Sequence, residues 1–205
     1  GAGAAGLHGA VGTFQTWEAA HCVACVRGKF HAWAVGTACH ACAEGKYLPT
    51  TGATSADQCL ACPLGTANAE PGTSACPSCA PGSYQPSEGA TACEECEAGR
   101  VSQAGAAECS ACELGRFQVA AGRGSCDACA TGKYAANVSA TSCTPCEAGR
   151  YQGGTGQWKC LTCDVGKTSD SGADSCDSCP STLFRGLFLS VMRAGCLLSL
   201  IHISE

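Results

Sequence analysis

Residues 112–129 read CELGRFQVAAGRGSCDAC. The stretch opens on Cys112, sets Gly115 three residues on and Phe117 two further, turns back at Gly122, and closes through Cys126 on Cys129. The same unit recurs along the 205-residue chain. C-x-x-C pairs begin at Cys22, Cys39, Cys59, Cys76, Cys93, Cys109, Cys126, Cys143, Cys160 and Cys176, with steps of 17, 20, 17, 17, 16, 17, 17, 17 and 16 residues. Three residues beyond each of the first nine pairs stands a glycine: Gly28, Gly45, Gly65, Gly82, Gly99, Gly115, Gly132, Gly149 and Gly166. A period this strict means one small unit copied many times, stacked as a linear array.

Composition points the same way. Cysteine supplies 21 of 205 residues, the usage of a disulfide scaffold. Hydrophobic content is 45%, but much of it is alanine and cysteine, and the aromatics are few. A 17-residue unit is far too small to fold by apolar burial alone, so a covalent or metal link must act in every repeat. Net charge is −5, which leaves no electrostatic footprint for nucleic acid. Lysines and arginines are scattered singly, mostly just after the repeat glycine (Lys29, Lys46, Arg100, Arg116, Lys133, Arg150, Lys167), and read as a solvated face.

Within the unit, the first glycine permits the positive φ of a sharp turn after the cysteine. An aromatic follows in Phe30, Tyr47, Tyr84, Phe117, Tyr134 and Tyr151, replaced by Ala67, Val101 and Thr168 elsewhere. It is expected to start a short extended segment and, lying on the neighbouring cystine, to supply most of the apolar packing. A second glycine, four residues before the closing cysteine, turns the chain back at Gly72, Gly89, Gly105, Gly122, Gly156 and Gly172. Little helix is expected, because no window sustains a 3.6-residue apolar period.

Two disulfide connectivities are open. Closing each C-x-x-C on itself constrains almost nothing between repeats. The expected alternative is a ladder: Cys25–Cys39, Cys42–Cys59, Cys62–Cys76, Cys79–Cys93, Cys96–Cys109, Cys112–Cys126, Cys129–Cys143, Cys146–Cys160 and Cys163–Cys176. Each such loop adds about 3 kcal/mol by constraining the unfolded chain. Cys179 and Cys196 have the span to close a last loop. Cys22 is then expected to be unpaired, because Gly9 stands where the opening cysteine of a degenerate leading repeat belongs.

Runs such as CAPGSYQPSEGATACEEC (79–96), CELGRFQVAAGRGSCDAC (112–129) and CEAGRYQGGTGQWKCLTC (146–163) resemble the ephrin type-A/B receptor-like cysteine-rich repeat. That repeat is related in style to the first modules of tumour necrosis factor receptor domains. The resemblance covers roughly residues 22–179 and weakens at 59–76 and 93–109, where the aromatic is absent. It implies extended, disulfide-laddered stalks or protein-binding surfaces of secreted proteins or ectodomains, without catalysis. Nothing resembles an ephrin-binding or kinase domain.

The expected fold is therefore a small disulfide-rich repeat array, an elongated rod of short β-ribbons and turns with little helix. Its units share C-x-x-C joints, which implies nearest-neighbour stability. Residues 1–21 read as a Gly/Ala-rich linker with the degenerate leading repeat, 22–179 as the tandem repeats, and 180–197 as a divergent tail or last repeat. Residues 198–205 match the in-frame translation of a sequencing-library adapter and are set aside as such. Arg185 and Arg193 interrupt the apolar stretch 183–203, which disfavours a membrane span. The chain reads as an interior piece of a longer protein, attached to a membrane only through regions outside it.

Several chemistries compete with this structural reading. Zinc is the main rival, since C-x-x-C pairs build zinc knuckles and His21 and His40 sit beside early pairs. Zinc arrays group pairs two by two, whereas these spacings are uniform. Redox catalysis by C-x-x-C requires a thioredoxin-like βαβ setting, which is missing. Gly1-Ala-Gly-Ala-Ala-Gly6 satisfies G-x-G-x-x-G without a strand before it. Gly166-Lys167-Thr168 ends like a phosphate loop, but Leu161 fills the place of its first glycine. No catalytic, cofactor-binding or metal-ligating residue is assigned. Asn137-Val138-Ser139 is an N-glycosylation triplet in an exposed loop. A protein ligand of unknown identity is the partner class left open, with Trp17, Trp33 and Trp158 as candidate contacts.

Overall fold

The two residues between the cysteines of a pair are extended, and they hydrogen-bond to the two residues that follow a repeat glycine. In the computed structural model, which describes residues 11–15, 22–32 and 38–179, this gives a series of two-stranded antiparallel ribbons. Thr13–Gln15 pairs with Cys22–Ala24, Lys29–Phe30 with His40–Ala41, and Lys46–Tyr47 with Leu60–Ala61. Ser83–Tyr84 pairs with Glu94–Glu95, Arg100–Val101 with Ser110–Ala111, and Arg116–Phe117 with Asp127–Ala128. Lys133–Tyr134 pairs with Thr144–Pro145, Arg150–Tyr151 with Leu161–Thr162, and Lys167–Thr168 with Asp177–Ser178. The Ala67 repeat keeps only a bridge, Thr66 to Ser78. Arg100–Val101 and Lys167–Thr168 form ribbons without an aromatic, so backbone pairing rather than the ring sets the extended segment.

Strand geometry also explains the cysteine pairing. Residues i and i+3 of an extended segment face opposite sides, so the cysteines of one pair turn away from each other. Each reaches a different loop. Disulfides join Cys25 to Cys39, Cys42 to Cys59, Cys62 to Cys76 and Cys79 to Cys93. Further along they join Cys112 to Cys126, Cys129 to Cys143, Cys146 to Cys160 and Cys163 to Cys176. Cys96, Cys109 and Cys179 are disulfide-bonded as well. Cys196 and the side chain of Cys22 lie outside the described residues, as do the Gly/Ala-rich opening and residues 180–205.

The interior is sulfur. Cys25, Cys42, Cys62, Cys79, Cys96, Cys112, Cys129 and Cys146 are at most 1% exposed. The repeat aromatics, expected to carry the apolar packing, are only half-buried. A loop closed over so few residues has no second layer to cover a ring, and the cystine takes the enclosed space. Phe30 packs against a small cluster of Cys42, Leu48, Ala53 and Cys59. That cluster belongs to the long loop Cys42–Cys59, where Ser55 caps a 3₁₀ turn, Ala56–Gln58, that takes up the extra residues.

The residue after the aromatic is a buried position that the spacing alone does not reveal: His31, Leu48, Asn68, Gln85, Ser102, Gln118, Ala135, Gln152 and Ser169. Glutamine there staples its own loop. Gln118 Nε2 donates to the Ser125 carbonyl at 2.9 Å, and its Oε1 accepts from the Ala120 N–H at 3.2 Å. Gln85 and Gln152 repeat both bonds. Shorter side chains reach backward: Ser102 Oγ donates to the Ser83 carbonyl, and Ser169 Oγ to that of Arg150. Gln118→Ala removes two hydrogen bonds, and a loss of about 1–2 kcal/mol is expected. Thermal denaturation against Gln118→Glu, which keeps the acceptor and lacks the donor, checks which bond matters.

The described residues form two compact units, one running to Glu95 and including Ser102–Cys109, the other made of Cys96–Val101 and the chain from Ser110. Among them no helix is long and apolar enough to cross a membrane.

Candidate functional site

The cysteines are the first candidates for chemistry, and their pairing decides against it. A sulfur in a disulfide is neither a thiolate ligand nor a nucleophile. Among the described residues no group of three or more histidine, cysteine or acidic side chains is placed to hold a metal ion. The zinc alternative is set aside on the disulfides. His40 faces the rings of Phe30 and His31, at centroid distances of 5.8 and 6.3 Å, and His31 is 1% exposed. His21 lies outside the described residues.

The recurring geometry is a backbone circuit through three successive loops. The Gly115 N–H donates to the Ala135 carbonyl at 2.9 Å, and the Gly115 carbonyl accepts from the Cys129 N–H at 2.9 Å. The Cys129 carbonyl accepts from the Gly156 N–H at 2.7 Å. The Gly156 carbonyl then lies over the α-carbon of Gly115, so close that a β-carbon there would approach it within 3.0 Å. Gly28, Cys42 and Gly72 make the same circuit, as do Gly132, Cys146 and Gly172. Stacking therefore reaches the second repeat along, which corrects the nearest-neighbour expectation. The first glycine provides more than a turn: it is the floor on which a later repeat rests.

One circuit is built without its second glycine. Gly99, Cys112 and Ser139 occupy the three corners, and Ser139 has φ 58°, the only non-glycine positive φ among the described residues. The left-handed region costs an L-residue about 1–2 kcal/mol. Ser139→Gly, in unglycosylated protein, is expected to stabilise this unit by about 0.5–1 kcal/mol, the rest being offset by the freedom glycine gains when unfolded. A lower melting midpoint would contradict this.

With this geometry in view, residues 12–59 and 99–142 match the family described as tyrosine-protein kinase ephrin type A/B receptor-like. Both stretches are similar to ephrin receptor-like repeats. No curated protein matches the chain. The first matched stretch includes Gly12, whose φ is 88° and whose carbonyl accepts from the Cys25 N–H at 2.9 Å. The repeat backbone thus begins ahead of the first C-x-x-C pair.

On the repeats the outward groups are simple. The seven lysines and arginines after the glycine are all exposed; Arg116 Nη1 donates to the Cys126 carbonyl at 3.1 Å, and Lys167 sits 3.9 Å from Asp164. Tyr84 hydroxyl donates to Glu94 across its ribbon. Exposed Leu64, Leu114 and Val165 precede a repeat glycine. Trp158 is 49% exposed, with the Lys159 ammonium 4.7 Å from its ring centroid. Trp17 and Trp33 lie outside the described residues. Asn137 is exposed at the tip of the loop closed by Cys129 and Cys143, beside exposed Ala136 and Val138.

Proposed function

We propose that the chain is a non-enzymatic spacer within an extracellular or cell-surface protein, with residues 22–179 as its repeat array and no cofactor. Disulfides persist in oxidising compartments, and a cystine-centred interior requires such a compartment throughout its life. The observation that carries the spacer role is the backbone circuit. Every circuit adds crossed hydrogen bonds to loops already closed by disulfides, so tension along the chain meets covalent links inside each loop and several backbone bonds between loops.

Single-molecule pulling tests this directly. The oxidised array is expected to yield only the short segments outside its closed loops. Reduction should then release each loop of 14-residue separation, whose ends the disulfide holds 5.7 Å apart, as an additional length of about 40–45 Å. Release of whole loops from the oxidised array at the force that opens the reduced one would remove the spacer reading. Exposure of Trp158 favours a second reading, in which the array binds a protein partner. Trp158→Ala separates the two: the spacer reading expects partner binding unchanged, and the binding reading expects a loss of tenfold or more.

A further inference from the structure

The loop closed by Cys129 and Cys143 departs at two places from the three repeats that have a glutamine staple. At the buried position after the aromatic it has Ala135, where Gln85, Gln118 and Gln152 staple their loops. In those repeats the glutamine oxygen accepts from the N–H two residues on, the place that Asn137 holds here. The second departure is Ser139. It stands at the corner that glycine fills elsewhere and holds φ 58° to do so. Its N–H still donates to the Cys112 carbonyl at 2.8 Å, and its carbonyl still covers Gly99. Glycine would serve the fold better, so a strained serine at this corner calls for a reason outside packing.

The chemistry of the triplet supplies one. Asn137-Val138-Ser139 needs a hydroxyl residue two positions after the asparagine, and glycine at 139 would destroy the acceptor. The asparagine is exposed, and Val138 between the two is 61% exposed, so the tip is open to an enzyme. We propose that Asn137 carries an N-linked oligosaccharide and that Ser139 is retained, against its backbone cost, as the hydroxyl of the acceptor. In the transfer, the Asn137 amide nitrogen forms a bond to the anomeric carbon of a lipid-diphosphate-linked oligosaccharide. The carbon–oxygen bond to the diphosphate breaks, that leaving group departs with the electron pair, and the amide gives up one proton. The missing glutamine staple fits the same role, because it leaves the acceptor's own backbone without a side-chain clamp from residue 135.

This inference rests on the secretory reading above, and the test keeps the two apart. The full chain is expressed behind a cleavable secretion leader in eukaryotic cells, and secreted protein is assayed for free thiols and by peptide mass spectrometry. A glycan mass on the Asn137 peptide is expected, removed by an amidase that leaves aspartate. Asn137→Gln and Ser139→Gly should abolish it, and Ser139→Thr should keep it. Ser139→Gly also guards against misfolding, since it relieves the corner. Secreted protein with no more than the one free thiol that 21 cysteines leave over, and with bare Asn137, overturns the glycosylation and leaves the extracellular reading intact. Chain retained in the cell with its ladder cysteines as free thiols overturns both.

Discussion

Gly115→Ala is expected to destabilise its unit by about 3–4 kcal/mol, while Gly166→Ala costs about 1–2 kcal/mol. The two glycines have nearly the same backbone, φ 78° and 81°, so the left-handed penalty is common to both. They differ in what a β-carbon would meet. At Gly115 it would drive into the Gly156 carbonyl and the Gln157 nitrogen, both backbone and both held by the stack. At Gly166 nothing among the described residues lies within 4 Å. The difference between the variants therefore measures the contact with the second repeat along, free of the conformational term. Chemical denaturation followed by hydrogen exchange gives both numbers. Equal losses would mean that the stacked carbonyl moves aside at no cost, and the circuit would then be geometry without energy.

Replacing a whole cystine should be at least as damaging. Cys112→Ala with Cys126→Ala frees a loop of 14-residue separation, for about 3 kcal/mol of chain entropy. Cys112 is 0% exposed, so losing its sulfur also opens the interior, and a total of about 4–5 kcal/mol is expected. The damage should follow the hydrogen bonds. Cys112 N–H donates to Gly99, and its carbonyl accepts from Ser139, so the amides of Cys112 and Ser139 should lose protection together. The Cys62 amide, bonded to Gly45 within the other unit, should keep its own. Uniform loss across the chain would instead mark a single cooperative fold.

The repeat was legible because its constraints are local. Cysteine spacing and the glycine three residues on both serve one loop, and period alone exposes them. Ser139 was legible as part of the glycosylation triplet, and the structure adds its place at the second-glycine corner and its strained φ. What the spacing hid was anything that works between loops or beneath the surface. The buried place of Gln118 and Gln152 follows an aromatic and looks like a solvated residue, since its hydrogen bonds are to backbone carbonyl and N–H groups that no pattern marks. The aromatics misled in the opposite sense. Phe117 and Tyr151 have the hydrophobicity of core residues, but a two-residue ribbon offers only one side to lie on, and the cystine already fills the interior. The contact from Gly115 to Gly156 involves no side chain at all, which places it beyond any reading of residue types.

That contact sets a minimum size for the fold. One loop has no corner to rest on, and two supply only part of the hydrogen bonding. Three consecutive loops, as from Cys112 to Cys160, contain the first complete circuit. In any longer run the number of circuits trails the number of loops by two, so each added copy completes one circuit while the deficit at the ends stays fixed. An array built this way gains disproportionately from its first few duplications and then grows at constant return, a reason for long uninterrupted runs over isolated copies.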